Sequence, residues 1–420
     1  MTFADIGLSA ALLRAVSELG YDHPTPVQSA AMPAILAGSD LWASAQTGSG
    51  KTAAFVLPIL ERLTRASALL PRPVRALIVV PTRELALQVG EAIERYAQHL
   101  SSPLKTCVVV GGVSKNPQMM DLRGGADIVV GTPGRLLDLV DEGALHLRSV
   151  QTLVLDEADR LLALGFADEL DRLLRELPTE RQTLLFSATF PPKVVALAEL
   201  LLSDPIRINV DAGTAPSVDV LQQRVIEVDA GRRSLLLQHL LHLHAWPQVL
   251  VFVATRDGAD ELVRDLARAG MSVAALHSHL SQAVRTEALA DFKARHLRVL
   301  VATDLAARGL DIAQLPAVVN YDLPRSAMDY VHRIGRTGRA GEKGMAVSFV
   351  SAASAAHFRL IEKRHKLRLE RERIPGFEPT DLTVAPRDVH GGVKGKRKSK
   401  KDKLREAAAR AAGTQLPDKK

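Results

Sequence analysis

A chain of 420 residues is longer than one hydrophobic core usually serves, so two domains of ordinary size are expected. With 47% hydrophobic and 24% charged residues, the composition is that of a globular protein and excludes fibrous and fully disordered classes. The formal net charge of +7 is matched by residues 381–420 alone, where twelve Lys or Arg face five acids, so residues 1–380 are neutral overall.

In chain order, residues 1–20 read as an amphipathic element without the basic, apolar and small-residue pattern of a secretory signal. No apolar run reaches the roughly 18 residues of a membrane-spanning helix, which points to a cytoplasmic protein. A glycine-rich loop, Ala45-Gln-Thr-Gly-Ser-Gly-Lys51-Thr52, leads into a helical stretch over 53–65. Strands are expected over 76–80, 106–110, 127–130, 152–155 and 183–186, each followed by a polar motif. Cys107, the single cysteine, excludes an intramolecular disulfide and a cysteine-based zinc site, and its apolar neighbours mark it as a buried strand residue. Small and turn-forming residues at 211–218 suit an interdomain linker with the boundary near Gly213. The second half repeats the pattern, with strands over 249–253, 272–276, 298–302, 318–321 and 345–350 and a charged helix over 353–371. Short β-rich runs alternating with amphipathic stretches argue for an α/β chain with mostly parallel sheets flanked by helices. The expected domains are 1–212 and 213–374, followed by a basic tail, 375–420. Within it, residues 394–403 have no apolar side chain to bury and read as a disordered arm that attracts phosphates without reading sequence. A nuclear-import signal and a plain solvated tail are the other readings.

The glycine loop carries the first chemistry. Thr47, Gly48, Ser49 and Gly50 would let backbone N–H groups and the following helix's positive end face phosphates, Lys51 would reach the β and γ oxygens, and Thr52 would hold magnesium. Ala45 stands where the general pattern has glycine, and such a loop alone separates neither kinases, GTPases and motors from one another nor any of them from a ligand-free turn. The second signal is the apolar run ending in Asp156-Glu157-Ala158-Asp159. Asp156 is placed to hold the magnesium shell and Glu157 to orient and activate the attacking water, because phosphoryl transfer is mostly positioning and charge stabilisation. Alone, these acids could simply open a helix and favour its dipole.

Together the two motifs resemble the DEAD-box RNA helicase family, and further motifs follow in order over roughly residues 3–350. They are Phe3 and Gly20-Tyr21 through Gln28, Pro81-Thr82-Arg83-Glu84-Leu85, Gly111-Gly112, Thr132-Pro-Gly-Arg135, Ser187-Ala-Thr189, Gln282 with Arg285, Ala302-Thr303 through Asp311, and His332 through Arg339. The resemblance implies two RecA-like domains, ATP and Mg2+ as ligands, and RNA as partner; the short tail is similar to that of stand-alone bacterial members of the RhlE type. Gln28 carries an amide able to pair with adenine and Tyr21 a ring for stacking, with Phe3 supporting that pocket. The resemblance makes Arg336 and Arg339 arginine fingers, Asp311 a ribose contact and His332 a link to the first domain. It leaves Arg333 between phosphate binding and a solvated face. Gly111, Gly112, Thr82, Thr132, Thr303, Arg83, Arg135, Arg285 and Gln282 present phosphate-directed groups that read no bases. Ser187 and Thr189 would couple the ATP and RNA sites.

The reading is RNA-stimulated ATP hydrolysis that closes two domains and opens short duplexes without sequence preference, by a monomer. An ATP-gated RNA clamp shares every motif, and a DNA translocase of the same superfamily is a third reading. One departure from the family pattern is Ser278, where glycine is usual. His277 and His279 alternate on one strand face without further ligands and imply no metal site.

Overall fold

The computed structural model describes residues 1–45, 48–65, 71–210, 221–307, 315–338 and 343–380. Two parallel sheets of seven strands organise it. The first contains β1 (Leu41–Ser44), β2 (Ala76–Val79), β3 (Thr106–Val109), β4 (Ile128–Gly131), β5 (Thr152–Leu155), β6 (Gln182–Ser187) and β7 (Ile206–Asn209), in the order β3-β4-β2-β5-β6-β1-β7. The second contains β8 (Leu221–Glu227), β9 (Val249–Val253), β10 (Val273–Leu276), β11 (Val299–Thr303), β12 (Ala317–Asn320), β13 (Gly344–Val350) and β14 (Arg371–Glu372), in the order β10-β11-β9-β12-β13-β8-β14.

Central strands such as β2, β4, β5, β9, β11 and β12 are buried at every residue, as parallel strands covered by helices on both faces must be. Alternation then divides each strand between two cores: Ala76 and Ile78 join one cluster, Leu77 and Val79 the other. The expected strands all form, each within one residue of its expected ends. Four were not foreseen. β7 is an edge strand with only Ile208 buried, β8 is rich in Gln, Arg and Glu, β14 has two residues, and β1 is a short run directly before the glycine loop.

The last helix is shorter than expected. It spans Ala355–His365 and ends at Lys366, whose φ of 55° turns the chain left-handed so that it can return as β14 beside β8. Residues 376–380, assigned above to the tail, instead lie against the second lobe. The Thr380 N–H and hydroxyl both donate to the Asp229 carboxylate at 2.8 Å, and the Phe377 ring packs on His239 with centroids 5.4 Å apart. The linker with Gly213 and residues 381–420 lie outside the described residues.

This topology gathers the motif residues. In the first sheet Ala45, Thr82, Gly111, Thr132, Asp156 and Ser187 all stand at or just beyond the carboxyl ends of their strands, where ligands of α/β sheets collect.

Candidate functional site

Gly50 caps the helix Lys51–Thr64 at a φ of 92°, a left-handed conformation that favours glycine, and an added Cβ would lie 2.5 Å from Gln28 Nε2. The buried Lys51 donates from Nζ to the Ala45 carbonyl at 2.9 Å. Asp156 is buried at the end of β5, and Oδ1 accepts the Glu157 N–H at 2.9 Å. Burial pushes its carboxyl up to about 6, against the opposing pull of Lys51. Glu157 opens the helix Ala158–Ala163 with a φ of 53°, a backbone conformation costing a non-glycine residue about 1 kcal/mol or more.

A cavity of about 600 Å³, within the usual range for small-molecule sites, is lined by Lys51, Thr52, Asp156 and Glu157 from the first lobe and by Arg336 and Lys293 from the second. Gly48, Gly50, Tyr21 and Gln28 line its first-lobe side. Gln28 is held at both ends of its amide, accepting the Thr25 N–H at Oε1 (2.9 Å) and donating from Nε2 to the Gly50 carbonyl (3.1 Å). Each atom keeps one further hydrogen-bonding position. Tyr21 is 41% exposed, with its ring 6.4 Å from that of Tyr96, while Phe3 is buried in the same core as Val27, next to Gln28. Thr47, Asp311 and Arg339 lie outside the described residues.

Ser187 donates to the Thr189 carbonyl at 2.7 Å and accepts the Asp159 N–H at 3.2 Å, and the Thr189 hydroxyl donates to Asp159 Oδ2 at 2.7 Å. The end of β6 is thereby tied to the helix that follows Asp156 and Glu157. From the second lobe His332 meets the Arg160 guanidinium through Nδ1. Burial, then the neighbouring Arg160 and Arg336, push the imidazole down to about 3. Arg333 fits neither role left open for it. It is 2% exposed, donates to both oxygens of Asp304 at 2.6 and 2.8 Å and to Asn320 and the Asp322 carbonyl, and lies over the Phe252 ring. It is an internal strut of the second lobe.

A second constellation lies on the same side of the first sheet. Thr82 caps the helix Arg83–Ala97 by accepting the Leu85 N–H, and Thr132 Oγ1 accepts the Gly111 N–H at 3.4 Å. Arg135 donates to the Val113 carbonyl at 2.9 Å. Gly112, at a φ of 70°, leaves room for Arg83, whose guanidinium would lie 1.7 Å from an added Cβ. Arg285, on the helix Gln282–Lys293, forms an ion pair with Glu84 at 2.6 Å across the lobes, both side chains under 9% exposed. Gln282 lies near Thr286 at the start of that helix, and Thr303 is buried at the end of β11. Burial first, then Arg285 and Arg135, make Arg83 easier to deprotonate than an ordinary arginine, the mark of like charges held together.

Sequence reading missed Arg160, Lys293 and the role of Glu84 as a partner. Arg160 carried a usable signal, standing one helical turn after Glu157, whereas Glu84 and Arg285 are too far apart in the chain for any local pattern. At Ser278 the backbone is not among the positive-φ positions and the side chain is exposed, so serine is accommodated without strain. His277 is buried and bonded through Nε2 to Asp260 at 2.9 Å, while His279 is exposed.

Residues 25–197 match the family model described as DEAD/DEAH box helicase, and residues 232–341 match the helicase conserved C-terminal domain. The ATP-dependent RNA helicase DeaD of Mycobacterium tuberculosis is 42% identical over 377 residues, which cover 90% of this chain and 66% of that protein. The DEAD-box ATP-dependent RNA helicase CshA of Bacillus subtilis is 39% identical over 90% of this chain and 75% of its own. The chain thus spans about two thirds to three quarters of the length of these relatives. Among solved structures, Dbp5 of S. cerevisiae bound to RNA and ADP BeF3 is 31% identical and superposes with a TM-score of 0.78 over 89% of this chain and 95% of that one. A variant of that yeast protein bound to Nup159, Gle1, IP6 and ADP gives 0.61 at the same identity, so the arrangement here lies nearer the RNA-bound form.

Proposed function

The chain belongs to the DEAD-box family of ATP-dependent RNA helicases, and from that membership we propose that it hydrolyses ATP in response to RNA and uses lobe closure to open short RNA duplexes. The observation that carries this reading is the single cavity walled by Lys51, Thr52, Asp156 and Glu157 on one lobe and Arg336 on the other.

Lys51 is placed to neutralise the terminal phosphates and Glu157 to accept a proton from water. Arg336 supplies the external positive charge, and residues of that kind contribute about 10³ to 10⁵ in rate. The oxygen donors of Thr52 and Asp156, facing the same cavity, fit a hard divalent cation. Magnesium bound there would add charge neutralisation on the phosphates. Because the two walls belong to different lobes, turnover depends on closure.

RNA is the ligand that best fits the second constellation. Arg83, Arg135 and Arg285 crowd three guanidinium groups around one carboxylate, Glu84, and an anionic backbone would relieve that repulsion. Backbone contacts of this kind bind without sequence preference. The same reading takes the protein to work as a monomer in the cytoplasm.

The test is ATP turnover and strand displacement measured side by side with RNA and DNA duplexes. Turnover indifferent to RNA would sink the proposal. RNA held in an ATP-dependent way without duplex loss would instead favour a clamp, and stronger stimulation by DNA would favour a DNA translocase.

A further inference from the structure

We propose that Arg160 is a positioning residue which makes the orientation of the Glu157 carboxylate depend on docking of the second lobe, with His332 as the sensing contact. The inference rests on the ATPase reading above and adds to it a residue that neither the motif series nor the phosphate chemistry required.

Arg160 stands three residues after Glu157, on the face of the helix Ala158–Ala163 that brings i and i+3 together. Its NH1 donates to Glu157 Oε2 at 3.1 Å, and the two side chains are 7% and 4% exposed. Its NH2 meets Nδ1 of His332, which belongs to the other lobe. A guanidinium has donors only, so Nδ1 must be the unprotonated nitrogen and the ring is the neutral tautomer with its hydrogen on Nε2. The strong downward push on the imidazole agrees with that assignment.

A planar fork fixed at two points has little freedom to rotate. With both partners present, Glu157 is held through Oε2, which leaves Oε1 to accept a hydrogen bond from water. When the lobes part, His332 withdraws, the fork loses one anchor, and the carboxylate loses its fixed direction. The left-handed φ of 53° at Glu157 strengthens this dependence, since a strained backbone keeps its geometry only when surrounding contacts over-determine it. Arg160 also offsets the cost of burying the Glu157 charge, which a purely structural ion pair would do as well. What distinguishes the proposal is the link to His332.

The experiment compares wild type, Arg160→Ala, Arg160→Gln, His332→Ala and the Arg160→Ala/His332→Ala double variant in full-length protein, by RNA-stimulated ATP turnover. Arg160→Ala is expected to lower kcat by about tenfold or more while leaving the KM for ATP within about twofold. The double variant should be no slower than the slower single variant, and millimolar guanidinium ion should restore part of the lost rate in Arg160→Ala. Melting curves identify any variant that fails to fold, in which case Arg160→Gln carries the comparison. A kcat within twofold of wild type, or losses that multiply in the double variant, would overturn the inference. Absence of RNA stimulation in the wild type would instead overturn the functional reading itself.

Discussion

The buried ion pair between Glu84 and Arg285 provides a direct handle on closure. Its 2.6 Å contact joins the first lobe's helix Arg83–Ala97 to the second lobe's helix Gln282–Lys293, and both side chains are almost completely shielded. Removing one partner from such a pair leaves an uncompensated buried charge, at a cost of about 3–5 kcal/mol. Here the protein has an escape, because parting the lobes lets water reach the survivor. The cost therefore falls on the closed arrangement alone, and even about 3 kcal/mol shifts a two-state equilibrium by roughly a hundredfold. Arg285→Met and Glu84→Met are each expected to open the lobes, read as a loss of energy transfer between dyes on the two lobes without RNA or ATP. The double variant Glu84→Met/Arg285→Met should close again at least in part, since replacing both charges by apolar side chains of similar volume is often neutral. Singles that leave energy transfer unchanged would refute the reasoning, as would a double variant more open than either single.

Three further outcomes follow from particular contacts. Asp127 is held between Arg72 and Arg75, at 2.6 Å from each; burial works to raise its pKa, but the Lys105 N–H and the two guanidinium groups outweigh it and hold the carboxyl below its ordinary range. A depressed carboxyl stabilises above its unfolded value and loses that contribution as pH falls through its folded value, so Asp127→Asn should cost about 3 kcal/mol in denaturant unfolding at pH 7 and progressively less below about pH 4. Gln28→Glu would set a carboxylate oxygen against the Gly50 carbonyl in place of a donor, so the KM for ATP in steady-state turnover should rise about tenfold. Gly112→Ala would put a methyl group where the Arg83 guanidinium lies and strain a left-handed φ; it should weaken RNA binding in a fluorescence titration more than it changes ATP binding.

The parts of the fold legible in the sequence were those written in local patterns. Fully buried runs such as Val249–Val253 are unbroken apolar segments and declare themselves. β7 and β8 do not, because an edge strand and a polar strand need only one buried side or a neighbour's backbone to exist. Phosphate chemistry was legible for a related reason: the glycines, lysine and carboxylates of the cavity lie next to one another in short segments. Contacts that join the lobes left no such trace. Arg285 could be read as phosphate-directed from its residue type, but only three-dimensional placement gives it Glu84 as a partner, and Arg333 was ambiguous until Asp304 and Asn320 surrounded it.

The two constellations act on one equilibrium, and that imposes a quantitative constraint. Phosphates in the cavity would bridge Lys51 to Arg336, and a nucleic-acid backbone would bridge the Arg83 and Arg135 side to Thr303 and Arg285, so either ligand favours the same closed arrangement. Linkage then requires that RNA raise the affinity for a non-hydrolysable ATP analogue by the same factor by which the analogue raises the affinity for RNA. For ordinary coupling that factor is about 5–150. Breaking the Glu84–Arg285 pair makes closure harder for either ligand, so each should bind more weakly on its own while the two factors remain equal. Two unequal factors, measured by titration in both orders at one salt concentration, would mean that the ligands do not report on one closing motion.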